Sequence, residues 1–125
     1  MTIERKELGA RGEEAAARHL RRQGFRILHR NFTCSIGEID ITARKGNLLA
    51  IVEVKTRRSD EFAPPEMSVT ATKKRRIARL ATHYARRFGL ESLVRRFDIV
   101  AVVMEPSGRV RLEHFQGAFD APSEF

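Results

Sequence analysis

The chain has 125 residues, 42% of them apolar, with 24 Lys plus Arg against 16 Asp plus Glu for a formal net charge of +8. That length and apolar content predict one ordinary folded domain and argue against intrinsic disorder. The longest apolar runs, Leu48 to Val52 and Ile99 to Met104, fall far short of the roughly 18 residues a membrane-spanning helix needs. The first residues carry charge in place of the apolar stretch of a signal peptide, so a cytoplasmic protein without membrane contact is expected. Cys34 is the single cysteine, which excludes an intrachain disulfide and a Cys-rich zinc site. It reads as a small half-buried hydrophobe.

Lys6 to Gln23 interleaves Leu8, Ala15, Ala16 and Leu20 with charge, the pattern of an amphipathic helix stopped by Gly24. Gly9 and Gly12 weaken its first turns, so its regular part is expected to start near Ala10 or later. Phe25 to Phe32 reads as a strand. Ile36 to Ala43 alternates, with Ile39, Ile41 and Ala43 on one side and Glu38, Asp40 and Thr42 on the other. Arg44 to Asn47 is a turn, and Leu48 to Lys55 is apolar on both faces for most of its length, as a central strand would be. Ser59 to Glu66, containing Pro64-Pro65, is a loop.

A long helix is predicted from Val69 to Phe88, with Ile77, Leu80, Ala81, Tyr84, Ala85 and Phe88 on its core stripe and Gly89 as its stop. Phe97 to Met104 is a second apolar strand. After a turn at Pro106-Ser107-Gly108, Val110 to Phe115 forms a last edge strand, and a small polar tail begins at Gln116. The expected architecture is a single α/β domain over residues 1–119, a mixed sheet flanked by helices in the order α-β-β-β-α-β-β, with 120–125 frayed.

The excess charge is local. Thr70 to Arg96 holds nine basic residues and one acid, Glu91, while the rest of the chain balances at 15 basic and 15 acidic residues. A one-sided basic segment points to a polyanion, most often nucleic acid; a solvated helix face is the alternative.

The acids supply the second clue. A two-residue turn at Gly46-Asn47 places Asp40 opposite Glu53 and Glu38 opposite Lys55. Like charges in direct opposition are destabilising, so folding alone would not favour the Asp40 and Glu53 pair. Glu53 and Lys55 also share a face with Leu49 and Ile51 in the most buried strand. A charge there costs several kcal/mol, on the order set by desolvation, unless it is paired or bound to a metal. One solution is an ion pair of Lys55 with Glu53 or Glu38. The other is a divalent-cation site: two carboxylates without His or Cys suit Mg²⁺ or Mn²⁺, and Lys55 would orient water and offset charge on a phosphorane. Together these parts describe metal-assisted phosphodiester hydrolysis.

Asp40 followed by Glu53-Val54-Lys55 on this background of elements resembles the PD-(D/E)xK nuclease superfamily, with Ile39 in place of the nominal proline. More closely, Gly9-Ala10-Arg11-Gly12-Glu13, Gly37-Glu38-Ile39-Asp40, Val52-Glu53-Val54-Lys55-Thr56-Arg57 and Arg96-Phe97-Asp98 look like the YraN family of bacterial proteins, thought to be related to archaeal Holliday-junction resolvases. The resemblance implies a restriction-endonuclease-like fold, metal binding by Asp40 and Glu53, a catalytic Lys55, and Glu13 reaching the site from the first helix. Glu38 matches the pattern without a settled role, as support for the site or as a salt-bridge partner.

Lys73, Lys74, Arg75 and Arg76 occupy the first turns of their helix, where the macrodipole disfavours cations, which makes sense if that end faces phosphates. Lys73 lies on the core-facing stripe and is expected to point toward the acids. Lys74, Arg75 and Arg79 fan outward, and Arg57 and Arg58 extend the same groove. Arg86, Arg87, Arg95 and Arg96 read as a solvated face, and Asp98 as an anchor for an arginine. His19, His29, His83 and His114 lack metal-ligand spacing and read as surface or boundary residues.

The expected activity is a Mg²⁺- or Mn²⁺-dependent endonuclease on structured or branched DNA, with RNA left open as a substrate. A two-fold homodimer is expected by analogy, because cleaving a junction takes two active sites. The alternative is a non-catalytic nucleic-acid-binding module of the same fold. The deciding geometry is whether Glu13, Asp40, Glu53 and Lys55 come within about 6 Å of a common point.

Overall fold

A computed structural model describes residues 4–60 and 69–120. The elements are α1 (Arg5–Arg22), β1 (Arg26–Cys34), β2 (Gly37–Lys45), β3 (Leu48–Arg58), α2 (Ala71–Arg87), β4 (Val94–Met104) and β5 (Val110–Phe119). They build one open five-stranded sheet in the order β1-β2-β3-β4-β5. All neighbours are antiparallel except β3 and β4, which run parallel and are joined by the crossover containing α2. This is the expected mixed α/β domain. Pro64-Pro65 and the end of the tail lie outside the described residues.

Each helix covers one face of the sheet. Ala16, Ala17 and Leu20 of α1 pack with Ile41, Ala43, Ala50, Val52, Val100 and Val102. Leu80, Ala81 and Tyr84 of α2 pack with Phe32, Ile39, Leu49, Ile51 and Leu93. β3, between two apolar layers, is the central strand its composition predicts. Burying each large aliphatic side chain in these layers contributes about 1.5–3 kcal/mol.

Helix α1 begins at Arg5, earlier than its glycines suggest. The reason lies in tertiary contact: a Cβ on Gly12 would sit 1.9 Å from Thr56 Oγ1, so Gly12 lets α1 close directly onto β3. The weak helix former is retained because packing outweighs its propensity cost of about 1 kcal/mol.

Alternation along β2 also breaks. Ile41 and Ala43 face α1, whereas Ile39, expected on the same side, packs under α2. The break falls at Asp40, and across the β1–β2 pairing Asn31 adopts a left-handed φ of 55°. The strand therefore turns over where the candidate acids begin.

At the other end, β5 continues to Phe119, past the expected end of the last strand at Phe115. Gly117, at φ 58°, lets its N–H reach Asp98 at 2.9 Å, and Phe119 stacks on Phe97. Tyr84 is fully buried as expected, but Phe88 is 37% exposed at the end of α2.

The histidines are more engaged than their spacing suggests. His114 Nε2 lies 2.8 Å from Asp98 Oδ2, its Nδ1 lies 3.1 Å from His19 Nε2, and His29 bonds the Tyr84 hydroxyl. Among these only His83 is exposed. Arg95 and Arg96 also leave the solvated face assigned to them. Arg95 donates to Thr82 at 2.8 Å, and Arg96 grips Asp98 through two 2.9 Å bonds while lying over the Phe25 ring.

Candidate active site

The two-residue turn at Gly46-Asn47 sets the expected register: Lys45 pairs with Leu48, and the ladder continues to Ile41 opposite Val52. There it stops. Beyond this point β2 and β3 separate into a fork, and Asp40 fills it by accepting a 2.8 Å hydrogen bond on Oδ2 from the Val54 N–H. The Asp40 side chain thus replaces a backbone partner to β3, and the residues expected to oppose it stand around the fork.

Asp40 opens onto both faces of the sheet. On the α2 side it lines a cavity of about 90 Å³ with Glu38, Glu53, Lys73, Ile77 and Leu80. On the α1 side it lines a wider cavity of about 500 Å³ with Arg5, Lys6, Glu13, Asn31 and Thr56. The electrostatics report the same convergence. The Asp40 carboxyl is raised to about 6, chiefly by burial and with the negative charges of Glu53, Glu38 and Glu13 acting in the same direction, against the Val54 hydrogen bond.

Glu13 is brought to the fork by α1. Only 13% of its side chain is exposed, and Oε1 accepts from Arg30 Nε at 2.9 Å and Asn31 Nδ2 at 3.1 Å. The left-handed Asn31 therefore does two things at once: it marks the break in β1 and orients Glu13. Arg30 also bonds Glu14 at 2.7 Å, so one arginine ties both helix acids to β1. Sequence reasoning missed Asn31 and Arg30; an Asn beside a strand break is the one signal that could have drawn attention to them.

Glu53 stands on the α2 face. Its Oε1 accepts a 2.6 Å bond from Lys73 Nζ, while its Oε2 is buried with no hydrogen-bond partner among the described residues. Neither ion pair considered for Lys55 forms: Glu53 is taken by Lys73, and Glu38 is exposed. Lys55 is half-buried on the same face by alternation and makes no hydrogen bond or ion pair with the described residues. Glu38 is exposed at the rim of the smaller cavity.

The basic residues divide by position. Thr70 caps α2, its Oγ1 accepting from the Lys73 N–H at 3.1 Å, which fixes the turn that aims Lys73 inward. Lys74 is half-buried, and Arg75, Arg76 and Arg79 are exposed along the same helix. Arg57 and Arg58 continue β3 past the fork, with Arg58 pairing to Asp60.

The donor set suits a hard divalent cation in part. An orphaned carboxylate oxygen on Glu53 beside Asp40 is what such an ion would satisfy, with waters and a phosphate completing its shell. Among the described residues no group of three His, Cys, Asp or Glu side chains is gathered to hold a metal. No helix among the described residues is long and apolar enough to cross a membrane.

Fold and site together define a small α/β protein with an acidic fork in a mixed sheet and a basic helix beside it. Residues 12–102 match the uncharacterised protein family UPF0102, and the chain belongs to that family. Its relatives include UPF0102 proteins of Pelotomaculum thermopropionicum, 45% identical over 95% of this chain and all of the relative, and of Symbiobacterium thermophilum, 47% identical over 93% and 98%. A third, from Geobacter sulfurreducens, is 43% identical over 92% of this chain and 90% of its own length.

Proposed function

We propose that the protein is a metal-dependent endonuclease that hydrolyses phosphodiester bonds in structured or branched DNA, a divergent member of the PD-(D/E)xK superfamily on the resolvase-like side. The observation that carries this reading is the fork: Asp40 stands among Glu53, Glu38 and Glu13, and Glu53 leaves a buried oxygen unpartnered. Lys73 and Arg30 each reach one of these acids, but Asp40 at their centre has a backbone N–H as its partner and no cation among the described residues, and crowding a carboxylate in this way does not serve stability.

Asp40 and Glu53 would hold Mg²⁺ or Mn²⁺. The ion supplies Lewis-acid activation of the phosphate and of a water when bound. Lys55, on the Glu53 face and without a hydrogen bond or ion pair among the described residues, would orient the water and offset charge on the phosphorane. Glu13, fixed by Arg30 and Asn31, holds water on the α1 side of the fork. Lys73, Lys74, Arg75, Arg76 and Arg79 of α2, with Arg57 and Arg58, line the path of the backbone. DNA is favoured by the resemblance; the same chemistry acts on RNA, so both belong in the assay. Two such sites on one junction require two copies of the chain, hence a two-fold dimer.

The test is cleavage of junction, flap and plasmid DNA, and of matched RNA, by purified protein with Mn²⁺. Glu53→Ala is expected to lose at least 100-fold in rate, roughly the scale of removing a key charge-stabilising group. Absence of any cleavage that Glu53→Ala lacks would overturn the nuclease reading. A second reading is favoured by the Lys73 to Glu53 pair, which already neutralises one acid: a non-catalytic nucleic-acid-binding module. It predicts salt-sensitive binding that EDTA and Asp40→Asn leave unchanged.

A further inference from the structure

Lys73 has a position that nucleic-acid binding alone does not explain. A cation in the first turn of a helix opposes the macrodipole, yet Thr70 caps that turn and Lys73 Nζ sits 2.6 Å from Glu53 Oε1. Its neighbours Arg75, Arg76 and Arg79 face solvent. Lys73 lines the small cavity with Asp40, Glu38 and Glu53, and its ammonium is in direct contact with one of those acids.

We propose that Lys73 is a resident counter-ion that holds the metal's place on Glu53 and exchanges to the substrate phosphate when the metal enters. The inference rests on the metal reading above and adds its regulation. The pair is poised to open: the Lys73 side chain is 41% exposed and that of Glu53 24%, so one change of rotamer on the lysine releases the carboxylate to solvent and to an ion. Glu53 Oε2, buried and unpartnered, shows that an ammonium satisfies only half of the carboxylate. A divalent ion carries twice the charge, and Glu53 and Asp40, which line the same cavity, would be the residues to hold it. Once displaced, the ammonium stays tethered to a capped helix turn at the cavity rim, where a phosphate bound to the metal would lie. The free protein is thereby spared an uncompensated acid, and Lys73 contributes to substrate binding only after the metal has arrived.

Two measurements on the full-length protein test this. First, Mn²⁺ affinity is measured without nucleic acid by calorimetry or electron spin resonance. Lys73→Met is expected to bind about fivefold more tightly than wild type, the scale of releasing one partly exposed ion pair. Lys73→Arg and Lys74→Met should stay within about twofold of wild type, since one keeps the counter-ion and the other removes a charge that does not touch Glu53. Second, junction DNA binding is measured in Ca²⁺ and in EDTA. Lys73→Met should weaken binding several-fold in Ca²⁺ and leave it nearly unchanged in EDTA. If wild type binds Mn²⁺ but Lys73→Met binds it no more tightly, or if the DNA loss is equal in both conditions, the exchange is wrong and the metal site stands. If no variant binds Mn²⁺, the metal reading itself falls and the exchange with it.

Discussion

Two aspartates of the same sheet, the half-buried Asp40 and the buried Asp98, are held in opposite ways. Asp98 is fully buried, and its two oxygens receive Arg96, His114 and the Gly117 N–H. Those bonds overcome the cost of burial and hold its carboxyl down at about 2. Asp40 accepts one backbone bond, stands among three other acids, and is lifted to about 6. One carboxylate has been given everything its charge needs; the other has been denied it. A fold that can build the first arrangement could build it twice, so the contrast marks the fork as a place where stability has yielded to another requirement.

The comparison can be broken most forcefully at Asp98. Asp98→Ala strands a half-buried arginine and the nearly inaccessible His114 side chain, and is expected to cost about 3 kcal/mol in a denaturant titration. A loss under 1 kcal/mol would remove the structural half of the contrast. At the fork the sign reverses. Asp40→Asn keeps an acceptor for the Val54 N–H and deletes the crowded charge, so it should stabilise the protein by about 2 kcal/mol at pH 8 and by almost nothing at pH 4.

The pH dependence of the two groups follows from the direction of each shift. Asp40 holds its proton more tightly in the folded chain, so between pH 4 and 6 the unfolded chain has lost a proton that the native one keeps. Its contribution to stability falls as pH rises through that window, by up to about 3 kcal/mol. Asp98 is the reverse: its contribution is complete above pH 4 and is lost as pH drops toward 2. Stability profiles of wild type and Asp40→Asn should diverge above pH 4 and coincide below it; parallel profiles would show that Asp40 is not strained.

Smaller effects sharpen the picture. Gly12→Ala pushes α1 off Thr56 and is expected to cost about 1–3 kcal/mol by overpacking. Because Glu13 moves with α1, the same variant should lower the Asp40 pKa, read by carboxylate NMR. Glu13→Gln tests that link alone. Glu13 is the weakest of the three acids acting on Asp40, so the pKa should fall by less than it does in Glu53→Gln, provided the variants remain folded. Equal shifts would mean that the acids are not ordered around the fork as described.

Much of the scaffold was legible in the chain. Apolar spacing located both helices and all five strands, and Gly46-Asn47 fixed the register that aligns β2 with β3. The errors fall where a distant partner overrides a local rule: Gly12 is tolerated because Thr56 occupies the space of its side chain, and β5 extends because Asp98 catches Gly117. The ion pair of Glu53 with Lys55, one of the two solutions that local spacing offered, fails for the same reason. Local spacing offered Lys55, whereas the crossover carries Lys73 back over the sheet to within 2.6 Å.

The sequence by itself determined the elements, their order, the hairpin register and the concentration of positive charge in one segment, because each depends on residues close together in the chain. Only the tertiary structure decided that the β2–β3 ladder ends at Ile41, that Asp40 fills the resulting fork, and that Glu13 and Lys73 arrive there from opposite faces. Those outcomes depend on how two helices settle on a twisted sheet, and residues far apart in sequence meet only after that packing is complete.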